Sequence, residues 1–205
     1  MAIEGWKPYF LNKKRVEVID LKRIIAFTGA GISKESGIPT FEEMGDLREK
    51  LSREYATLFP EEYRHLIISL KNLCDTAEPN DAHYALAEYD IPVITMNIDG
   101  LHRKAGTKIL VEIHGALPDD SELMFCEMLY NKPVLYGDNA PLYTKAISMI
   151  DSLDKGDILL IVGASNYSGI ANELRYFAIS SGIEVVEIQK DATTEVRKIL
   201  ENLTK

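Results

Sequence analysis

Six short runs of apolar, largely β-branched residues punctuate the chain: Arg23–Thr28, Pro92–Thr95, Ile109–Glu112, Pro133–Tyr136, Ile158–Val162 and Glu184–Ile188. They lack the alternation of a half-exposed strand and stop at glycine or polar residues. Runs of that kind read as strands covered on both faces, as in parallel sheets. Parallel strands need crossovers, and helix-like stretches fill the gaps at Glu42 to Leu73, Asp81 to Tyr89, Leu142 to Leu153, Ile170 to Ser181 and Thr194 to Leu203. The alternation predicts an open, doubly wound, Rossmann-like parallel α/β sheet. Tyr9 to Leu21 reads as a leading helix above Trp6 and Phe10.

Two intervals depart from a minimal alternation. About sixty residues separate the first two runs, too many for one crossover helix, so a small helical insertion is expected over about 42–90. Pro60 and Pro79 cut it into pieces. By contrast, Gly115 to Asn131 leaves only a short connection, about 116–131. No repeat or low-complexity linker interrupts the chain, so residues 1–205 are read as a single domain.

Charge narrows the function. With 23 Lys+Arg against 32 Asp+Glu the net charge is −9, which argues against nucleic acid and against an anionic membrane as partners. Only two cysteines occur, Cys74 and Cys126, so a four-cysteine zinc site within one chain is impossible. Two reduced thiols and an N-terminus without an apolar signal core suit a cytoplasmic protein. The oligomeric state stays open.

The first run leads directly into Thr28-Gly29-Ala30-Gly31-Ile32-Ser33-Lys34-Glu35-Ser36-Gly37-Ile38-Pro39. Glycines after a first strand let backbone approach a diphosphate, and a following helix N-terminus favours its charge. The third glycine, however, comes six residues after the second rather than three. A glycine turn serving strand–helix packing alone remains the alternative.

The wider string Gly29-Ala30-Gly31-Ile32-Ser33, with Ser36-Gly37-Ile38-Pro39 and Phe41, resembles the first signature of the sirtuins, NAD-dependent protein deacylases. Three further blocks match in order. Pro79-Asn80 with His83, Ala85 and Leu86 resembles the family's Pro-Asn-x-x-His-x-Ala-Leu helix. Thr95-Met96-Asn97-Ile98-Asp99-Gly100-Leu101-His102 resembles its Thr-Gln-Asn-Ile-Asp-x-Leu-His segment, and Glu112-Ile113-His114-Gly115 its active-site turn. Gly156 to Leu160 leading to Gly163-Ala164-Ser165 is similar to the late adenosine-side strand. The likeness covers roughly residues 20 to 190.

The resemblance implies an NAD-dependent removal of acyl groups from lysine. The acyl oxygen attacks C1′ of the nicotinamide ribose, nicotinamide leaves, and O-acyl-ADP-ribose forms with free lysine. It implies an acylated-lysine protein or peptide as partner. His114 is the implied general base, an imidazole able to take a proton near neutrality. Asn97 lies past a strand end and would line the ribose pocket, while Ile98 and Asp99 would hold the carboxamide. An Asx-type turn is the alternative for Asn97 and Asp99. Gly29, Ala30, Gly31 and Ser33 would meet the cofactor, and Phe41 would close over the site. Gly163, Ala164, Ser165 and Gln189 would meet its adenosine end. Tyr136, Gly137 and Asp138 would line the acyl-lysine groove with Asn166 on the other wall. His83 and His102 are expected to hold helix and turn geometry, Glu112 to orient the turn, and His65 to lie on the surface.

Four departures qualify the match. Thr40 and Glu42 replace the family's Asp and Arg around the aromatic residue, placing a carboxylate near a diphosphate. Met96 replaces a ribose-contacting Gln. Asn166 to Gly169 is not the usual Leu-x-Val-x-Pro. The zinc module is missing, so the expectation is a short form without zinc. An NAD glycohydrolase or ADP-ribosyltransferase, and a non-catalytic sensor of NAD or ADP-ribose, are the alternatives.

Overall fold

The computed structural model describes residues 22–40, 42–166 and 168–203. The expected leading helix with Trp6 and Phe10, and Phe41, lie outside them. Among the described residues five strands form one parallel sheet: β1 (Ile24–Thr28), β2 (Val93–Thr95), β3 (Leu110–Glu112), β4 (Ile158–Val162) and β5 (Glu184–Ile188), in the order β3-β2-β1-β4-β5. Every residue of β1 and β4 is buried, which is why those runs carry no alternation.

The two faces divide the same strands residue by residue. Ile24, Ala26, Val93, Ile158, Leu160 and Val162 pack under α4 (Asp81–Glu88) and α8 (Ala192–Leu203) through Ala82, Ala85, Leu86, Val196 and Leu200. Ile25, Phe27, Ile94, Leu159 and Ile161 pack under α6 (Tyr143–Asp151) and α7 (Gly169–Ser180) through Ala146, Ile150, Ala171 and Leu174. This is the doubly wound arrangement expected from the sequence.

The insertion is smaller than the 42–90 expected. Helices α1 (Leu47–Lys50), α2 (Arg53–Leu58) and α3 (Pro60–Thr76) have their own core around Leu47, Leu51, Ala56, Tyr63 and Ile67. Pro60 occupies the first turn of α3, where its missing N–H costs nothing. The next helix, α4, belongs to the sheet cover instead. A short α5 (Leu101–Lys104) follows β2.

One expected strand is absent. Pro133–Tyr136 does not join the sheet. It makes a single parallel bridge, Tyr136 to Ser52, with the Arg53 N–H donating to the Tyr136 carbonyl at 2.9 Å. An apolar β-branched run satisfies a small helical core as readily as a sheet. The 116–131 connection contains a 3₁₀ segment, Asp120–Met128, whose buried Cys126 packs with Tyr63 and Ile67.

Candidate functional site

Strand register aligns five carboxyl ends in one row. Glu112 stands opposite Thr95, Thr95 opposite Thr28, Thr28 opposite Val162, and Val162 opposite Ile188. The chain leaves β1 toward β2 on one side and later enters β4 on the other, so a crevice opens beyond β1 and β4. His114, Asn97, Gly29, Gly163 and Gln189 each stand one or two residues past that row.

The glycines interlock with one another. The Gly29 N–H donates to the Val162 carbonyl at 3.0 Å and the Gly31 N–H to the Gly163 carbonyl at 2.9 Å. A methyl on Gly31 would sit 2.6 Å from the Gly163 Cα, and Gly163 itself has φ +61°. Glycine is therefore demanded here by loop-on-loop contact between the tips of β1 and β4. The packing requirement weighed in the sequence is real, though its partner is the second loop. The expected helix N-terminus behind Gly31 is instead a 3₁₀ turn, Ala30–Ser36.

Behind this turn lies a buried polar cluster. Asn97 Nδ2 donates to the Gly29 carbonyl at 3.1 Å and to Ser33 Oγ at 3.2 Å. Ser33 Oγ donates to Asp99 Oδ2 at 2.7 Å, and Asp99 Oδ1 accepts from the Leu101 N–H at 2.9 Å. The Asx-type turn weighed for Asp99 is thus present on one carboxylate oxygen. Ser33, read as a cofactor contact, has no exposed surface and holds Asn97 and Asp99 in place. Burial pushes the Asp99 carboxyl up from its usual range, against those hydrogen bonds.

Two histidines support the cluster. His83 Nε2 lies 3.5 Å from Ser33 Oγ, and its Nδ1 accepts from the Asn80 N–H at 3.3 Å in a capping box on α4. His102 Nε2 shares a hydrogen bond with Thr28 Oγ1 at 2.9 Å. Burial pushes His83 down to about 4 and His102 well below its ordinary value, so both are neutral near pH 7.

In front of the cluster a small apolar pocket, partly open to solvent, is lined by Ala30, Ile38, Leu70, Leu73 and Leu117 with Asn97, Ile98 and Asp99. The structure thus brings four of the sequence-derived residues, Ala30, Asn97, Ile98 and Asp99, to one pocket. That donor set fits a planar, amide-bearing ring, with apolar surface for its faces and polar atoms for its edge. The leucines of α3 carried no signal in the sequence, because their amphipathic spacing is that of any core-facing helix.

His114 lies past the end of β3, against the residue that precedes Asn97. Its Nδ1 lies 2.9 Å from the Met96 carbonyl, which can only accept, so in the neutral ring Nδ1 carries the proton and Nε2 the lone pair. Burial lowers its pKa, partly opposed by that hydrogen bond. Met96, in place of the family's Gln, accepts a hydrogen bond from Ser168 Oγ at its sulfur, 3.3 Å away.

Other assignments are placed differently. Ala164 has no exposed surface and packs in the core, so only its backbone faces the loop, where its carbonyl accepts from Gln189 Nε2 at 3.0 Å. Ser165 Oγ lies 3.4 Å from Glu42 Oε1, across the crevice. Asp138, read as lining the groove, has a side chain only 2% exposed and is paired with Arg53 at 2.7 Å. Tyr136 and Gly137 are exposed. The Asn166 carbonyl accepts from Asn172 Nδ2 at 2.7 Å, which fixes the loop leading into α7. Arg53 itself was missed, because its partners lie 74 to 85 residues away.

A zinc ion of the family's kind does not fit. Cys74 and Cys126 are both buried, in different clusters. Among the described residues no group of three or more His, Cys, Asp or Glu side chains is arranged to hold a metal. No helix among them is long and apolar enough to cross a membrane.

Fold and crevice define a Rossmann-like protein, a parallel sheet whose strand order reverses between β1 and β4. A family model described as "Sir2 family" matches residues 29–132. An NAD-dependent protein deacylase 2 of Archaeoglobus fulgidus is 33% identical over 88% of this chain and 85% of its own. An NAD-dependent protein deacylase of Thermococcus sibiricus is 35% identical over 80% of this chain and 79% of its own. A structure titled for the mechanism and regulation of Sir2 enzymes superimposes with a TM-score of 0.74 at 30% identity, covering 89% of this chain and 92% of that one. The chain belongs to the Sir2 family, the sirtuins.

Proposed function

We propose that this protein uses NAD to remove acyl groups from protein lysine, releasing nicotinamide and O-acyl-ADP-ribose. One observation carries the reading: Ala30, Asn97, Ile98 and Asp99 line one pocket past the ends of β1 and β2, and the turn after β3 sets a histidine whose Nε2 bears the lone pair against the Met96 carbonyl, one residue before Asn97. The names of the relatives above support it. NAD, when bound, supplies the ribose carbon that accepts the acyl oxygen. Asn97 and Asp99, pre-ordered through Ser33, present an amide and a carboxylate that need no rearrangement to receive a polar edge. The leucines give the pocket apolar surface. His114 takes a proton at Nε2 while Met96 holds the ring's other nitrogen.

Tyr136 and Gly137 are assigned to the acyl-lysine groove, so an acylated protein is the partner. The donor set argues for action without zinc, and two buried thiols suit the cytoplasm. A second reading, an NAD glycohydrolase or ADP-ribosyltransferase, is favoured by one observation: the peptide wall has given up Asp138 to Arg53.

The test is incubation with NAD and acyl-lysine peptides, followed by mass spectrometry. Free lysine and O-acyl-ADP-ribose are expected. His114→Ala is expected to lower the rate at least about 100-fold while ADP-ribose affinity stays unchanged, and the acid limb of kcat/KM lies below the ordinary imidazole range because burial lowers that pKa. Nicotinamide released at the same rate without acyl peptide selects the second reading.

A further inference from the structure

Arg53 opens α2 and reaches two stretches of chain, 127–130 and Asp138. Its Nε and Nη2 donate to the two carboxylate oxygens of Asp138 at 2.8 and 2.7 Å. Nη1 donates to the Glu127 carbonyl at 2.6 Å and Nη2 to the Leu129 carbonyl at 2.7 Å. Its guanidinium carbon sits 4.3 Å from the centre of the Tyr130 ring. The planar fork therefore meets a carboxylate on one edge and the end of a 3₁₀ segment on the other, a pattern lysine cannot reproduce.

The clamped stretch is the one that supports the site. The Val134 N–H donates to the His114 carbonyl at 2.8 Å. The Asn131 carbonyl leaves Gly115 no room for a side chain. Asp138 Oδ2 also accepts from the Leu135 N–H at 3.2 Å, and the Tyr136 bridge to Ser52 adjoins Arg53 in sequence. Among the described residues, segment 127–138 makes no pairing with the sheet. Its side-chain ties are Arg53, the Arg64–Glu127 ion pair at 2.9 Å, the Lys132 contacts with Glu122 at 2.7 and 2.6 Å and Leu135 in the small core; the Tyr136 N–H adds a backbone bond to the Leu51 carbonyl at 3.0 Å.

We propose that the Arg53–Asp138 knot does in this chain the cross-linking that the missing zinc module would do, making Arg53 a positioning residue for the His114 turn and the Tyr136–Gly137 wall. The substrate side of this inference rests on the deacylase reading; the knot itself does not. The fork ties three chain segments at one point, as a metal would, with hydrogen bonds in place of thiolates.

The experiment uses the full chain and the variants Arg53→Met, Arg53→Lys and Asp138→Asn. In Arg53→Met, amides of 129–138 are expected to exchange at least about tenfold faster while those of β1 and β4 keep wild-type protection. KM for an acyl peptide rises about tenfold and the ADP-ribose Kd, by calorimetry, stays within about twofold. Arg53→Lys and Asp138→Asn fall between, since each keeps part of the hydrogen bonding, and they decide the matter if Arg53→Met does not fold. EDTA is expected to change neither exchange nor KM. Wild-type exchange at 129–138 in all three variants, a KM rise matched by an equal rise in the ADP-ribose Kd, or sensitivity to EDTA would overturn the proposal. If wild-type protein turns over no acyl peptide, the deacylase reading fails, and exchange alone decides the knot.

Discussion

Glu42 is the residue at which this chain parts most sharply from its family. Its carboxylate lies across the crevice, 3.4 Å from Ser165 Oγ, on the side where a diphosphate bound over the Gly29–Gly31 turn would run. The neighbouring Glu43 adds no cation either: the Lys34 ammonium and Thr40 lower its carboxyl to about 2, so it stays an anion. Glu42→Arg replaces a repulsive charge with an attractive one. It is expected to tighten NAD binding by roughly tenfold in calorimetry, with Glu42→Gln giving roughly threefold, both gains shrinking at high salt. An unchanged Kd for both variants would place Glu42 away from the phosphates. The sequence showed that Glu42 is out of pattern, because a carboxylate replaces a cation inside a recognisable string. It also showed Asn97, Asp99 and His114, which follow strand ends at the edge where ligands bind. It could not show Ser33 turned inward or Asp138 withdrawn onto Arg53. Those positions depend on partners 66 and 85 residues away, and no local spacing encodes them.

Helix α4 couples the glycine turn to the sheet cover through its cap. Asn80 Oδ1 accepts from the Ala82 N–H at 3.1 Å, while Asn80 Nδ2 donates to the Ile32 carbonyl at 2.7 Å and to Ser36 Oγ at 3.0 Å. One side chain thus starts the helix and fastens the 3₁₀ turn to it. Asn80→Ala is expected to cost about 2 to 4 kcal/mol, about half from the lost cap and half from the stranded Ile32 carbonyl. The check is a lower urea midpoint at unchanged m. Asn80→Asp keeps the cap acceptor but not the donors, so it should recover only the first part. Elements with a single reading of their pattern were legible: β1 and β4 are runs buried on both faces, and the break expected at Pro60 falls where α3 begins. The run at 133–136 was not, since its composition equals that of a central strand and only its pairing with Ser52 separates the two. The boundary of the insertion was missed for a related reason. Amphipathic helices α3 and α4 look alike in sequence, yet one faces the cavity and the other the sheet.

Taken as a whole, the fold buries neutral histidines beside its ligand crevice, and that sets how the molecule responds to acid. The His83 and His102 rings lie 4.8 Å apart with almost no exposed surface. Burial lowers both pKa values, His83 to about 4. In the unfolded chain each titrates near 6.5. Between those values the unfolded state binds more protons than the native state, so stability rises with pH across this window and is lost as pH falls through it. For His83 the full difference is worth about 3 kcal/mol, reached only below pH about 4. Asp99 acts in the opposite sense: its raised pKa lets the native state take up a proton before the unfolded chain does, offsetting part of the loss at the acid end. Unfolding free energy from urea titrations is therefore expected to fall by several kcal/mol from pH 7 to pH 4, more steeply than His114 alone would give. His83→Gln can donate to Ser33 and accept from Asn80, but it has no proton to gain. It should flatten the dependence between pH 6.5 and 4 by about one proton's worth of slope. An identical slope in wild type and His83→Gln would mean that His83 is already charged in the native cluster, and the neutral, pre-ordered network behind Asn97 and Asp99 would have to be abandoned.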